Sequence, residues 1–150
     1  MTPALQIREA STGDLSSLLA LYAHLNPSDL PCPMDDAAKH LFQLGRYQGS
    51  AILVGIIDEI VVASCTLIVI PNLTRAGRPY GLIENVVTHS EWRNRGFGKA
   101  ILKEATERAW AEHCYKVMLM TGSRSASTLA FYEKAGFEQS KTGFQIRSEK

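Results

Sequence analysis

Between Ile83 and Ala100 the chain reads IENVVTHSEWRNRGFGKA, a run of strand-forming residues that passes through a turn into a helix. The turn carries Arg93, Arg95, Gly96 and Gly98. Glycines lack a Cβ and let the backbone approach another group closely. A helix start also presents unpaired N–H groups and the positive end of its dipole, which suits a phosphate or diphosphate. Arg93, Arg95 and Lys99 add charge of the right sign. The segment is not a dinucleotide fingerprint, because Ile101 stands where a third glycine belongs, and no Gly-Lys-Ser/Thr ending makes it a nucleotide P-loop. A diphosphate of some other cofactor is the anion to expect. On this segment alone, simple steric relief in a strand-to-helix turn accounts for the glycines equally well.

Two further residues have proton chemistry in reach. Strict strand alternation sends Leu82, Glu84, Val86 and Thr88 to one face and Ile83, Asn85, Val87 and His89 to the other, unless a bulge intervenes. A carboxylate inside such an apolar strand is costly to bury unless paired or solvated by a cavity, so Glu84 is a candidate base. The competing reading holds it to a nearby Arg or a backbone amide. Ser125, Thr128 and Tyr132 fall on one helical stripe, three or four residues apart. By itself Tyr132 reads as a half-buried boundary residue.

Other reactive types carry less. Cys65 lies mid-strand and Cys114 just before a strand, positions typical of buried small hydrophobes. His24, His40, His89 and His113 are scattered without ligand spacing, and His89 reads as a turn residue. Arg75 and Arg78, in a Pro-flanked loop, offer an anionic substrate group two cations, although a solvated loop explains them better. No metal site is expected.

The elements that must position these groups follow from periodicity. Leu5 to Arg8 is a short opening strand, and Ser11, Thr12 and Asp14 supply capping chemistry for a helix bearing Leu15, Leu18, Leu19, Tyr22 and Leu25 on one face. A Pro-rich connection leads to a weaker helix, Asp35 to Leu44. Strands at Ala51–Ile57 and Ile60–Ile70 flank a tight Asp58-Glu59 turn, and Gly81–Thr88 is a third. Then come a helix from Gly98 to His113, a strand at Tyr115–Thr121, a helix from Ser125 to Ala135, and two terminal strands at Phe137–Ser140 and Gly143–Arg147. An antiparallel meander feeding a β-α-β crossover predicts an α/β (α+β) architecture. Its mixed central sheet would have six to seven strands flanked by about four helices.

Length and composition bound the rest. The 150 residues fit one domain, 1–150, and 45% apolar content suffices for a core. Sixteen basic against fifteen acidic side chains argue against nucleic acid as a partner. Three distant cysteines support no disulfide framework, and MTPALQIREA is no secretory signal. The longest apolar run, Ile60–Ile70, is too short to cross a membrane. A reducing, cytoplasmic setting is the expectation. The terminal strands would offer an edge for homodimer pairing.

Arg93-Asn94-Arg95-Gly96-Phe97-Gly98 matches the Q/R-x-x-G-x-G/A motif of the GNAT superfamily of acyl-CoA-dependent N-acetyltransferases, and Ala130–Phe137 (AFYEKAGF) resembles its F/L-Y-x-K-x-G-F segment. The element order is similar to the GNAT fold over nearly the whole chain. The resemblance implies acetyl transfer from acetyl-CoA to a primary amine by direct attack in a ternary complex. It implies that Val86, Val87 and Thr88 pair with the pantetheine arm and that the Asn94, Arg95, Gly96, Phe97, Gly98 and Lys99 loop meets the diphosphate. Ser125 stands where many relatives have a cofactor-contacting Asn, with less reach. Tyr132 resembles the general acid that protonates the departing thiolate, and Glu84 matches a strand Glu that acts as base in several relatives. An alkyl amine with a pKa of about 10.4 is a free nucleophile in only about one molecule in 10³ at pH 7, so a base is physically required. Ile83–Val87 and Cys114–Val117 are similar to segments of glucosamine-6-phosphate N-acetyltransferases, which usually show Asp where this chain has Asn85. A small primary amine is the expected acceptor. The alternative is a non-catalytic acyl-CoA sensor or interaction module that retains the cofactor cradle.

Overall fold

In a computed structural model, which describes residues 3–148, the chain folds around one mixed sheet with spatial order β1-β2-β3-β4-β5. The strands are β1 (Gln6–Glu9), β2 (Ala51–Ile57), β3 (Ile60–Ile70), β4 (Tyr80–Thr88) and β5 (Val117–Leu119). Neighbours are antiparallel except β4 and β5, which are parallel and linked through helix α3 (Phe97–Ala111). The remaining helices are α1 (Leu15–Tyr22), α2 (Met34–Gly45) and α4 (Ala126–Lys134).

Alternation along β2 and β3 divides the core between the two faces. Leu53, Cys65 and Leu67 point toward α3, where Ile101, Leu102, Ala105 and Ala109 complete a buried cluster. Val54, Val61 and Val87 face the other way and meet Leu18 and Leu21 of α1. The α1 stripe therefore runs through Leu15, Leu18 and Leu21, while Leu25 lies beyond the helix and is exposed. Asp14 anchors the entry to α1: its carboxylate takes two hydrogen bonds from Arg8, at 2.7 and 2.9 Å, and one from the Ser11 N–H at 2.7 Å. These donors hold the carboxyl below its ordinary range, Arg8 contributing most. The Asp58-Glu59 hairpin has both central residues at positive φ, 45° and 67°, the signature of a turn whose twist matches its strands.

Two expectations fail. The sheet has five strands among the described residues, not six or seven, because no strand forms at 137–140 or 143–147. The strand expected over 115–121 contracts to three residues. The two failures are linked: so short an edge offers little ladder for a sixth strand. Beyond Phe137, which packs on the core, the segment after α4 buries no apolar face to offset its ordering, with Phe144 91% and Ile146 98% exposed.

Candidate active site

The candidate site lies where β4 departs from regularity. Thr66 pairs with Glu84 and Ser64 pairs with Val87, so Asn85 and Val86 together oppose Cys65. This is a β-bulge, and Asn85 takes its left-handed conformation, φ 53°, one that Asn tolerates better than β-branched residues do. The bulge shifts the alternation. Ile83 and Val86 pack toward α3, whereas Val87 packs toward α1, so Glu84 and Val86 do not share the face that strict alternation assigns them. Glu84 and Asn85 are exposed, and no hydrogen bond or ion pair among the described residues engages the Glu84 side chain.

β4 also outruns its parallel neighbour. The β4–β5 register ends at Ile83↔Leu119, which leaves Glu84 to Thr88 without a strand on that side. The open edge leads toward the start of α3. There Gly96 is left-handed at φ 82° and no side chain caps the helix. The Ala100 N–H returns to the Gly96 carbonyl at 3.0 Å, but the amides of Phe97, Gly98 and Lys99 precede the first intrahelical bond. Asn94 is left-handed as well, φ 62°. An uncapped helix start beside an unpaired strand edge fits the diphosphate and the amide-bearing arm of coenzyme A, the first on backbone N–H groups and the second as an added strand.

The two glycines do different work. A Cβ on Gly96 would meet nothing within 4 Å, so that residue serves backbone conformation alone. A Cβ on Gly98 would sit 3.0 Å from the Phe131 ring and 3.3 Å from Thr88 Oγ1. Gly98 thus lets α3, α4 and β4 close together, and the close approach expected from sequence is to protein. Arg93 and Arg95 are committed to the turn. Arg93 donates to the Thr88 and His24 carbonyls at 3.2 and 3.4 Å, and Arg95 donates to the Glu91 carbonyl while its guanidinium lies 4.7 Å from the Trp92 ring centre. Lys99 is exposed and free of these bonds. His89 caps the turn by accepting from the Glu91 N–H, with the His24 ring against it at 4.1 Å.

Tyr132 belongs to the other face of the sheet. Its ring packs edge-on to Phe131 and Phe137, with centroids 5.0 and 6.5 Å away. The Gly136-Phe137 pair that follows is mechanical: Gly136 is left-handed at φ 100°, and the Phe137 N–H closes the helix on the Tyr132 carbonyl at 3.1 Å. Burial pushes the Tyr132 hydroxyl above its ordinary pKa, with the neighbouring Cys65 thiol adding to the shift. Cys65 itself is pushed up to about 12 by burial, which disqualifies it as a nucleophile near neutral pH. Ser125 is the N-cap of α4; its hydroxyl accepts from the Thr128 N–H at 3.3 Å and joins Thr128 Oγ1 at 2.8 Å. Glu84 and Tyr132 therefore flank the open β4 edge from opposite faces.

Sequence reasoning passed over Thr66 and gave Tyr22 only a place on the packing face of α1. Thr66 lies directly across from Glu84 and is buried, and the Tyr22 phenol is raised by burial while bonds to Thr66 and Ser64 oppose the shift. For Asn85 the available signal is residue type, since Asn tolerates the positive φ that the bulge requires.

This geometry has relatives. Residues 16–137 match the acetyltransferase (GNAT) family. A glucosamine 6-phosphate N-acetyltransferase of Trypanosoma brucei brucei is 33% identical over 141 residues, spanning 89% of this chain and 88% of that protein. A solved structure from Agrobacterium tumefaciens str. C58 superposes with a TM-score of 0.89 at 46% identity, covering 95% of this chain and 99% of that one. A Trypanosoma brucei acetyltransferase structure gives 0.85 at 32% identity, covering 97% and 100%. The chain belongs to the GNAT family and is an acetyl-CoA-dependent N-acetyltransferase.

Proposed function

We propose that this enzyme acetylates the primary amine of a small molecule of the amino-sugar phosphate class, with Glu84 as base and Tyr132 as donor to the departing thiolate. The observation that carries the reading is the Asn85 bulge, which leaves Glu84 exposed and unpartnered beside the open β4 edge. Bound acetyl-CoA supplies the acetyl thioester. Val86, Val87 and Thr88 hold its arm along that edge, and the Asn94–Lys99 turn takes its diphosphate, with Ser125 at the start of α4 closing the cradle. Glu84 removes the amine's proton directly or through a water, so that the lone pair is free to attack. Tyr132, kept protonated by burial, gives a hydrogen bond to sulfur as negative charge grows there. A thiol titrating near 8.5 is more acidic than so buried a phenol, so stabilisation by hydrogen bonding matters more than complete transfer.

The amino-sugar class is supported by the Trypanosoma relative's name and by its similarity over nearly all of both chains. The relatives' names do not favour the non-catalytic alternative. The same reading includes a homodimer formed through the segment after α4, supported by its exposed Phe144 and Ile146, and a cytoplasmic setting, supported by free thiols at Cys32, Cys65 and Cys114. Among the described residues no helix is long and apolar enough to cross a membrane. Acetylation of an amine panel that includes glucosamine 6-phosphate, read by mass spectrometry, tests the function. Product from glucosamine 6-phosphate supports it; acetylation confined to peptide amines contradicts it.

A further inference from the structure

On the α1 side of the sheet three hydroxyl groups line up next to Glu84. Ser64 and Thr66 of β3 pair with Val87 and Glu84 of β4, and Ser64 also pairs with Val54 of β2. Val54 and Val87 belong to the cluster that packs on Leu18 and Leu21, so Ser64 and, two residues on, Thr66 face α1 as well. Tyr22, the last residue of α1, packs against the same cluster, and its phenol comes within hydrogen-bonding reach of both hydroxyls. Thr66 is 9% exposed, whereas Glu84 across from it is open to solvent. Side chains directly opposite on one face have Cβ atoms about 5 Å apart, so the Thr66 oxygen and the Glu84 carboxylate border the same small volume.

The direction of the protons in this row follows from its far end. The Ser64 hydroxyl donates to the Leu53 carbonyl at 2.7 Å. A hydroxyl has one proton, so toward Tyr22 the Ser64 oxygen can only accept. The Tyr22 proton then goes to Ser64, and the Tyr22 oxygen accepts from Thr66. The Thr66 proton is thereby committed inward, which leaves only lone pairs on the side of Glu84. The opposite order would leave the Ser64 oxygen, at 0% exposure, with no donor among the described residues.

We propose that the Thr66 oxygen is a second acceptor for the substrate's amino group beside Glu84, and that Tyr22 is the positioning residue that keeps it an acceptor. An ammonium has protons for both groups, whereas a hydroxyl has one and leaves the other group unpaired, so the pair selects nitrogen over oxygen. The proposal rests on the reading of Glu84 as the group that meets the acceptor, and one arm of its test is independent of that reading. Raman spectra of the full chain, each differenced against its Tyr22→Phe counterpart, show whether the Tyr22 phenol donates, accepts or does both. The expected result is both in wild type and in Thr66→Ser, and donation alone in Thr66→Val. A phenol that only donates in wild type, or that Thr66→Val leaves unchanged, overturns the proposal. The second arm compares KM for glucosamine 6-phosphate with the inhibition constant of glucose 6-phosphate, which carries a hydroxyl in place of the amine, at saturating acetyl-CoA. The preference for the amine falls about tenfold in Thr66→Val and in Tyr22→Phe, in the latter partly through tighter binding of glucose 6-phosphate as the freed Thr66 proton turns outward. Thr66→Ser, which keeps the hydroxyl, retains the preference. Unchanged melting temperatures and a KM for acetyl-CoA within twofold show that the variants are folded. An undiminished preference in Thr66→Val, or an equal loss in Thr66→Ser, overturns the proposal. If the Raman result holds and glucosamine 6-phosphate is not acetylated, the amino-sugar reading falls, and the comparison is made with the amine of the panel that is acetylated and its hydroxyl analogue.

Discussion

Two bulges interrupt the sheet, and they do different things. In the β2–β3 pair the register shifts at Gly55/Ile56, leaving Val62 as the extra residue, and Gly55 and Val62 are both buried. In the β3–β4 pair the shift falls at Asn85, and both Glu84 and Asn85 face solvent. The first bends a strand inside a sealed core. The second sits where β5 has already ended, so the backbone it disturbs has an open side. The proposed site uses the second bulge, where the neighbouring strand is absent and the exposed residues are polar.

Predictions that would break this contrast are ordered by size. Glu84→Gln lowers kcat/KM about 10²-fold at pH 7, and the loss shrinks as pH rises past the acceptor amine's own pKa, where the free base already dominates; a pH-rate series measures it, and a loss constant with pH would make Glu84 structural. Asn85→Val places a β-branched residue at positive φ and destabilises by about 2 kcal/mol in urea unfolding, whereas Asn85→Gly keeps both fold and activity. Tyr132→Phe lowers kcat about tenfold with little change in affinity for coenzyme A, because the hydroxyl matters as the thiolate leaves. At the far hairpin, Glu59→Gly relieves a left-handed residue, worth about 1–2 kcal/mol, against the roughly 0.5–1 kcal/mol entropic cost of glycine. A net gain of about 0.5 kcal/mol should appear as a small rise in melting temperature with kinetics unaltered.

Sequence legibility follows the same division. Where burial enforces a period, as in β2, β3 and α3, the elements are readable to within a residue or two. The motif glycines were readable as residue types but not as roles: Gly98 answers to Phe131 and Thr88, while Gly96 answers only to its own φ. Ser125 stood on the Tyr132 stripe, yet its hydroxyl is occupied in capping α4, a competition that spacing alone does not reveal. The face assignments of Glu84 and Val86 depended on the bulge, whose position is decided by pairing with β3 rather than by β4. The terminal strands were over-read because alternation signals strand propensity, whereas a strand also needs a partner edge longer than the three residues of β5.

The central claim is that the open β4 edge and the bare start of α3 form one cofactor cradle while the β2–β3 hairpin plays no part. Hydrogen–deuterium exchange of the whole protein with and without coenzyme A tests it most directly. The account predicts slowed exchange at the amides of Val86 to Thr88 and Phe97 to Lys99, with β2 and β3 unchanged. Protection elsewhere, or none at these residues under saturating ligand, would contradict it.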